Sequence, residues 1–305
     1  MECFLSGDHR ANEQLGLLTF HNVWLRQHNR LATRLKQINP KWNGDQIYEE
    51  TRKIVGAQLQ VITYRDWLPQ IIGQKVGMKI LGEYRNYDPN VNPSIANVFA
   101  TAAMRFGHTL VNTHLIRQFV VNSTSKNRMK LRKLFFASHL LFQPNIHDTI
   151  LNGLLSSPLK KPMPEQAISN ELTEHLFELS RNVPLDLASI NIQRGRDHAL
   201  PAYNQWRIYC GLNRAKTFDQ FQTEIRNEHI RTKLEQLYGH PDNVDLWVGA
   251  ILENVDNDAK VGPTFRCLLA EQFKKLRDGD RHFYKNINMF NQEQIMELER
   301  QLYLK

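Results

Sequence analysis

Four short clusters hold the residue types that can do chemistry. Arg105-Phe106-Gly107-His108-Thr109-Leu110 closes a largely apolar run with a single imidazole. Gly7-Asp8-His9-Arg10-Ala11-Asn12-Glu13-Gln14 sets a guanidinium and a carboxyl three residues apart near the start. The other two are Asn191-Ile192-Gln193-Arg194-Gly195-Arg196-Asp197-His198 and Leu276-Arg277-Asp278-Gly279-Asp280-Arg281. An imidazole whose second ring nitrogen has a hydrogen-bond partner is a standard way to hold a haem iron, because that bond fixes the tautomer and raises ligand basicity. His108 is the candidate ligand, and Asn191 carries a side-chain carbonyl suited to its other nitrogen. Arg105 lies three residues earlier, on nearly the same helix face. It could grip a haem propionate with two parallel hydrogen bonds. Gly107 leaves the backbone open to close approach. Blander readings stand beside these. A lone histidine on an apolar helix is commonly a core residue, and Arg10 with Glu13 could be a surface ion pair worth about 0–1 kcal/mol.

These side chains need a scaffold, and the periodicity is mostly helical. Apolar residues at Leu17, Phe20, Trp24, Leu31 and Leu35 recur near helical spacing over residues 17–35. Trp24, Leu31 and Leu35 are expected to form core. A second helix runs from Gly44, with Asp45 as N-cap, to about Trp67, with Pro69 following. Ser94 is the expected N-cap of a helix carrying Val98, Phe99 and Ala102 towards His108. Residues 119–129 are polar and read as a short hairpin or a loop. Residues 146–161 read as a helix and a loop. Further helices are expected near 165–182, 197–209, 218–226, 228–237, 263–276 and 291–303. Asp197 and His198 would cap and brace the helix after them, and residues 276–281 read as an ion-paired helix end. The absence of repeats or a linker gives one mainly α domain.

Bulk composition narrows the function classes. The chain has 305 residues, a formal charge of +8, 41% hydrophobic and 23% charged residues. That is ordinary for a globular domain. The basic residues are dispersed rather than gathered in a stripe, which argues against nucleic acid as a partner. No apolar stretch is long enough for a membrane span. Cys3, Cys210 and Cys267 show no zinc-site spacing. The sequon Asn122-Ser123-Thr124 favours a secreted glycoprotein, yet the first twenty residues show no signal peptide.

Taken in order, the clusters resemble the animal haem peroxidase family, the group that includes myeloperoxidase, thyroid peroxidase and peroxidasin. The resemblance starts at Cys3-Phe4-Leu5-Ser6-Gly7-Asp8-His9-Arg10. It continues through His28-Asn29-Arg30-Leu31-Ala32, Arg52-Lys53-Ile54-Val55-Gly56-Ala57, Ile62-Thr63-Tyr64 and the His108 motif. It resumes at Gln193-Arg194-Gly195-Arg196-Asp197-His198 and Asp245-Leu246-Trp247, and ends at residues 276–281. Residues 8–14 and 193–198 are more similar to the peroxidasin branch than to the leukocyte enzymes.

The resemblance implies a mainly α, single large helical domain over residues 1–305 that binds a b-type haem. His108 would be the proximal iron ligand and Asn191 its hydrogen-bond partner. Arg105 and Arg194 would contact the propionates or the haem edge. Arg10 would be the distal catalytic arginine that polarises peroxide, and Glu13 the carboxylate esterified to a haem methyl. Gln14 replaces the methionine that bonds the haem vinyl in the leukocyte enzyme, so that link is not expected. Cys210 and Cys267 would form a disulfide, contributing about 4 kcal/mol in the chain-entropy model.

The implied reaction uses hydrogen peroxide to oxidise halide or phenolic and other organic donors, within the response to oxidative stress. The implied setting is extracellular, with a matrix protein as a further partner. The family's distal histidine, second ester and calcium site lie in a segment before these residues. The chain therefore reads as the proximal part of the domain, truncated at both ends. Its turnover is expected to be impaired, since general acid–base help is worth about 10²–10⁴-fold. The alternatives are a non-catalytic extracellular binding or scaffold fragment, and an inactive isoform that limits a full-length relative.

Overall fold

The structure is a computed structural model describing residues 4–119 and 126–301. Cys3 and the sequon at Asn122 fall outside these residues. In chain order the helices are α1 (Leu15–Ile38), α2 (Gly44–Val61), α3 (Leu68–Ile72), α4 (Met78–Leu81), α5 (Asn97–Thr101), α6 (Ile146–Ser156) and α7 (Asn170–Thr173). They continue with α8 (Leu187–Asp197), α9 (Tyr203–Tyr209), α10 (Glu228–Tyr238), α11 (Leu246–Ile251), α12 (Pro263–Asp278) and α13 (Gln292–Gln301). Strands β1 (His114–Gln118) and β2 (Lys126–Lys130) pair antiparallel, from His114 opposite Lys130 to Gln118 opposite Lys126. The fold is mainly helical, as the periodicity implied, and the polar stretch around residue 120 is flanked by a hairpin. No helix among the described residues is long and apolar enough to cross a membrane.

Several local expectations are corrected. Pro69 does not stop the second helix. Two wide π-helical segments, Ile62–Trp67 and Gly73–Gly77, carry the chain onward, with Leu68 N–H donating to Thr63 O and Met78 N–H to Gly73 O. Pro69 thus enters the first turn of α3, where its missing N–H breaks no intrahelical bond. Ser94 is not an N-cap. Its N–H donates to Asn92 Oδ1 at 2.9 Å, and α5 begins after Ala96, whose N–H donates to Gln272 Oε1 at 2.8 Å. The expected helix over 165–182 shrinks to α7, because Phe177 adopts a positive φ of 59° that helix cannot contain. Residues 197–209 divide likewise. Ala199 has φ 53°, Pro201 follows, and Asp197 with His198 ends α8 instead of capping α9. Residues 218–226 hold only a 3₁₀ turn, Phe218–Phe221. Trp24, Leu31 and Leu35 are half-buried, and α1 buries Leu15, Gly16, Leu18 and Thr19 in its first turns instead.

The chain divides into two compact units. The first comprises Met1–Gly56, Val111–Lys160 and Ser169–Leu187. Its small core joins Leu15, Leu115, Leu134, Ile146 and Ile150. Gly153 of α6 permits this packing, since a Cβ there would lie 1.8 Å from the Ile116 carbonyl oxygen of β1. Glu171 is buried and takes Arg132 Nη2 at 2.6 Å and the Arg132 N–H at 2.9 Å.

The second unit comprises Ala57–Leu110, Lys161–Ile168 and Ala188–Lys305. It holds the larger core, to which α12 contributes Phe265, Leu268, Leu269, Ala270 and Phe273. The Cys210–Cys267 disulfide, implied above only by resemblance, is present and ties the end of α9 to α12. Arg277, on the last turn of α12, pairs with Asp278 at 2.7 Å and donates to the Gly82 and Leu81 carbonyls at 2.8 and 3.2 Å. The expected ion-paired helix end therefore also anchors the loop after α4.

Candidate functional site

Ala102 breaks the helical path with φ −137° and ψ −61°, and the chain tightens into a 3₁₀ segment, Ala103–Leu110. Phe106 and Thr109 turn into the core, which leaves Arg105 and His108 half-buried. Trp247 of α11 steadies the segment by donating its indole N–H to the Arg105 carbonyl at 3.4 Å. A Cβ at Gly107 would meet no atom within 4 Å, so packing within the chain does not require glycine there.

Asn191 projects from α8 and is fully buried. Its Nδ2 lies 2.8 Å from His108 Nδ1, and its Oδ1 accepts from Arg105 Nη1 at 2.8 Å. Two contacts brace α8 in this place. Its Arg196 grips Asp245, the N-cap of α11, at 3.0 and 2.7 Å, and Tyr238 donates to the same carboxylate at 2.9 Å. His198 Nδ1 lies 2.9 Å from Asn97 Oδ1 at the start of α5, and Asn97 Nδ2 donates back to the His198 carbonyl at 3.1 Å.

Burial, and then the Arg105 charge, lower the His108 pKa to about 4. The imidazole is therefore neutral at physiological pH and keeps a lone pair for a metal. Arg105 has its own pKa lowered by burial and by the nearby charge of Arg194. Arg194 itself is exposed. Arg194 thus brings a second positive charge near Arg105, and guanidinium groups can take a carboxylate through paired hydrogen bonds.

Arg10 and Glu13 belong to the first unit. Asp8 caps the 3₁₀ turn His9–Asn12 and binds Arg10 three ways, through the Arg10 N–H at 2.9 Å, Nε at 3.1 Å and Nη2 at 2.7 Å. The Arg10 hydrogen bonds hold the Asp8 carboxyl well below the usual range. The ion pair considered for Arg10 and Glu13 is thus one between Arg10 and Asp8. Burial raises the Glu13 pKa, opposed by the charge of Arg10. A cavity of about 620 Å³ lies against Phe4, Asp8, Arg10, Glu13, Leu17 and His21.

The family is decided by sequence. The model of the animal haem peroxidase family matches residues 1–304. The chain belongs to the animal haem peroxidase family. This peroxidase-family chain is 52% identical to peroxidasin of Drosophila melanogaster over 303 residues, covering 98% of itself and 20% of that protein. It is 50% identical to the human peroxidasin homolog over 298 residues, again covering 20% of that protein. It therefore spans about a fifth of the curated peroxidasins it matches. Among solved structures, peroxidase A of Dictyostelium discoideum superposes with a TM-score of 0.85 at 30% identity, covering 99% of this chain and 55% of that one.

The residues of this family member suit a haem. His108 offers a neutral nitrogen, its other nitrogen has a buried partner, and Arg105 with Arg194 offers positive charge for propionates. Gln14, by contrast, is occupied in capping. Its Oε1 accepts from Leu17 N–H at 2.9 Å at the start of α1. Residue reasoning on the sequence overlooked Asp8 as the partner of Arg10, although an aspartate opening a helical turn is itself a capping signal. It also gave Asp245 and Trp247 no role beyond belonging to a motif.

Proposed function

We propose that this chain is the haem-binding part of a peroxidase that uses hydrogen peroxide to oxidise halide or phenolic and other organic donors. The observation that carries the reading is the His108–Asn191–Arg105 cluster in a chain of this family. A haem bound there supplies a redox-active iron at which peroxide is reduced. His108 would hold the iron. Asn191 orients the imidazole through Nδ1. Arg105 and Arg194 receive the propionates.

Arg10 is the catalytic arginine. Its bonds to Asp8 fix the position of the guanidinium, whose charge would favour negative charge developing on a peroxide oxygen. Glu13 is the carboxyl that takes an ester link to the haem, and burial favours its protonated form. The setting proposed is extracellular, with a matrix protein as the macromolecular partner. The Cys210–Cys267 disulfide and the similarity to peroxidasins support it. The test is peroxide-dependent oxidation of iodide and of a phenol by the haem-loaded chain. The expected result is impaired but measurable turnover that falls further in Arg10→Ala while the haem spectrum persists. Turnover indifferent to Arg10 would remove its catalytic role, and no turnover above free haemin would contradict the function.

A further inference from the structure

Tyr209 and Glu271 are brought together by the disulfide beside them. Tyr209 precedes Cys210 at the end of α9, and Glu271 lies about one helical turn after Cys267 on α12. The Tyr209 hydroxyl donates to Glu271 Oε2 at 2.6 Å, while Lys275 holds Oε1 at 2.7 Å. Trp206 meets Tyr209 edge to face, with ring centres 5.5 Å apart. It is half-buried and packs on the larger core, as does Ile192, the neighbour of Asn191 on α8. Other tyrosines share the carboxylate but not the setting. Tyr203 meets Glu253 and Tyr284 meets Glu299, and both tyrosines are buried. Tyr238 meets Asp245 and is half-buried. Tyr209 is 57% exposed. Tyr48 and Tyr87 are exposed as well, but no carboxylate among the described residues meets their hydroxyls.

A phenol gives up an electron readily when its proton can leave with it, because the cation formed otherwise is a far stronger acid than the phenol. Among the described tyrosines, Tyr209 alone joins a carboxylate for that proton to a largely exposed ring. We infer that Tyr209 with Glu271 is a second oxidation site, at the surface, for phenols too large to enter a haem pocket. Tyr209 loses one electron to the oxidant and its phenolic proton to Glu271, which leaves a neutral phenoxyl and a carboxylic acid. The oxidant is the one that the peroxidase reaction proposed above supplies, so the site deepens that reading and rests on it. A phenol arriving at the surface gives a hydrogen atom to the phenoxyl, which restores Tyr209 and makes the donor a phenoxyl. Glu271 returns its proton to solvent. The net change is the loss of one electron and one proton by the donor. Trp206 offers the electron an aromatic step inward. The hydrogen bond to Glu271, burial and the Glu271 charge raise the Tyr209 pKa to about 12, so the proton is in place at physiological pH and has one fixed exit.

The test oxidises the full chain, without haem, by photogenerated tris(bipyridine)ruthenium(III), a one-electron oxidant. Electron paramagnetic resonance reads the radical, and mass spectrometry after addition of a nitroso spin trap finds the residue that carries it. The adduct is expected to concentrate on Tyr209 and to vanish in Tyr209→Phe. Glu271→Gln keeps a hydrogen-bond acceptor but takes no proton. It should slow phenoxyl formation at least about 10²-fold, the lower end of general-base help, and it serves if the phenylalanine variant does not fold. An adduct spread evenly over Tyr48, Tyr87 and Tyr209, or a rate indifferent to Glu271→Gln, overturns the inference. Peroxide given to the haem-loaded chain separates the surface site from the reading beneath it. An adduct at Tyr209 there supports the inference, and iodide oxidation without that adduct overturns it. No iodide oxidation, with the ruthenium result as expected, contradicts the peroxidase reading instead.

Discussion

The side-chain amide of Asn191 lies 2.8 Å from Nδ1 of His108, across 83 residues of sequence. The contact exists because α8 is pinned at its far end, where Arg196 holds Asp245 and His198 holds Asn97. A partner of this kind contributes about 10–100-fold to metal affinity. Asn191→Ala should therefore weaken haemin binding by about that factor while leaving the fold intact. Parallel absorbance titrations and circular dichroism of the two proteins check this.

The low pKa of His108 sets an acid limit for haem binding. The ring stays neutral until the pH approaches about 4, where an unburied histidine would protonate near 6.5. A proton competes with iron for the imidazole, so haemin affinity should be level from pH 8 to about 5 and fall below that. A fall centred near 6.5 would show that burial and Arg105 do not depress this group. Spectral titrations across that pH range decide it.

Glu253 is a second buried group with a consequence for pH. Its carboxylate accepts from Tyr203 Oη at 2.7 Å and from the Thr264 N–H at 2.9 Å, and burial raises its pKa to about 7. A carboxyl raised in the folded state binds more protons folded than unfolded between about 4.5 and 7. Its favourable contribution is full below about 4.5 and is lost as pH rises through 7. Across that window the loss is about 3 kcal/mol. Glu253→Gln should flatten this slope, as read from urea unfolding at pH 5, 6, 7 and 8.

The disulfide should be worth a comparable amount. Cys210 and Cys267 are 57 residues apart. Closing such a loop contributes about 4 kcal/mol in the chain-entropy model. Cys210→Ser should lower the unfolding free energy by that order, and added reductant should leave the variant unchanged while bringing the wild type towards it.

Legibility in the sequence followed the physics of each element. α10, α12 and α13 were readable because each keeps a sustained helical pattern over at least ten residues. α11 has six residues, too few to show a period. The breaks at Phe177 and Ala199 come from positive φ values adopted by residues that give no such signal. The π-helical turns on either side of α3 were not readable, because such turns carry no local period of their own. At the site, His108, Asn191 and Arg105 could each be singled out from residue type. The partnership of His108 with Asn191 was suggested by residue chemistry and ordered by family resemblance. The bond from Arg105 to Asn191 was not visible, since an arginine's reach is decided by the buried polar group that meets it.

The central claim is that His108 is the iron ligand. It is tested most directly by titrating haemin into the purified chain and into His108→Ala, following the Soret band. Wild type should show a stoichiometric band with a defined end point, and the variant should lose it while remaining folded. An equal band in both proteins, or none in the wild type, would contradict the claim.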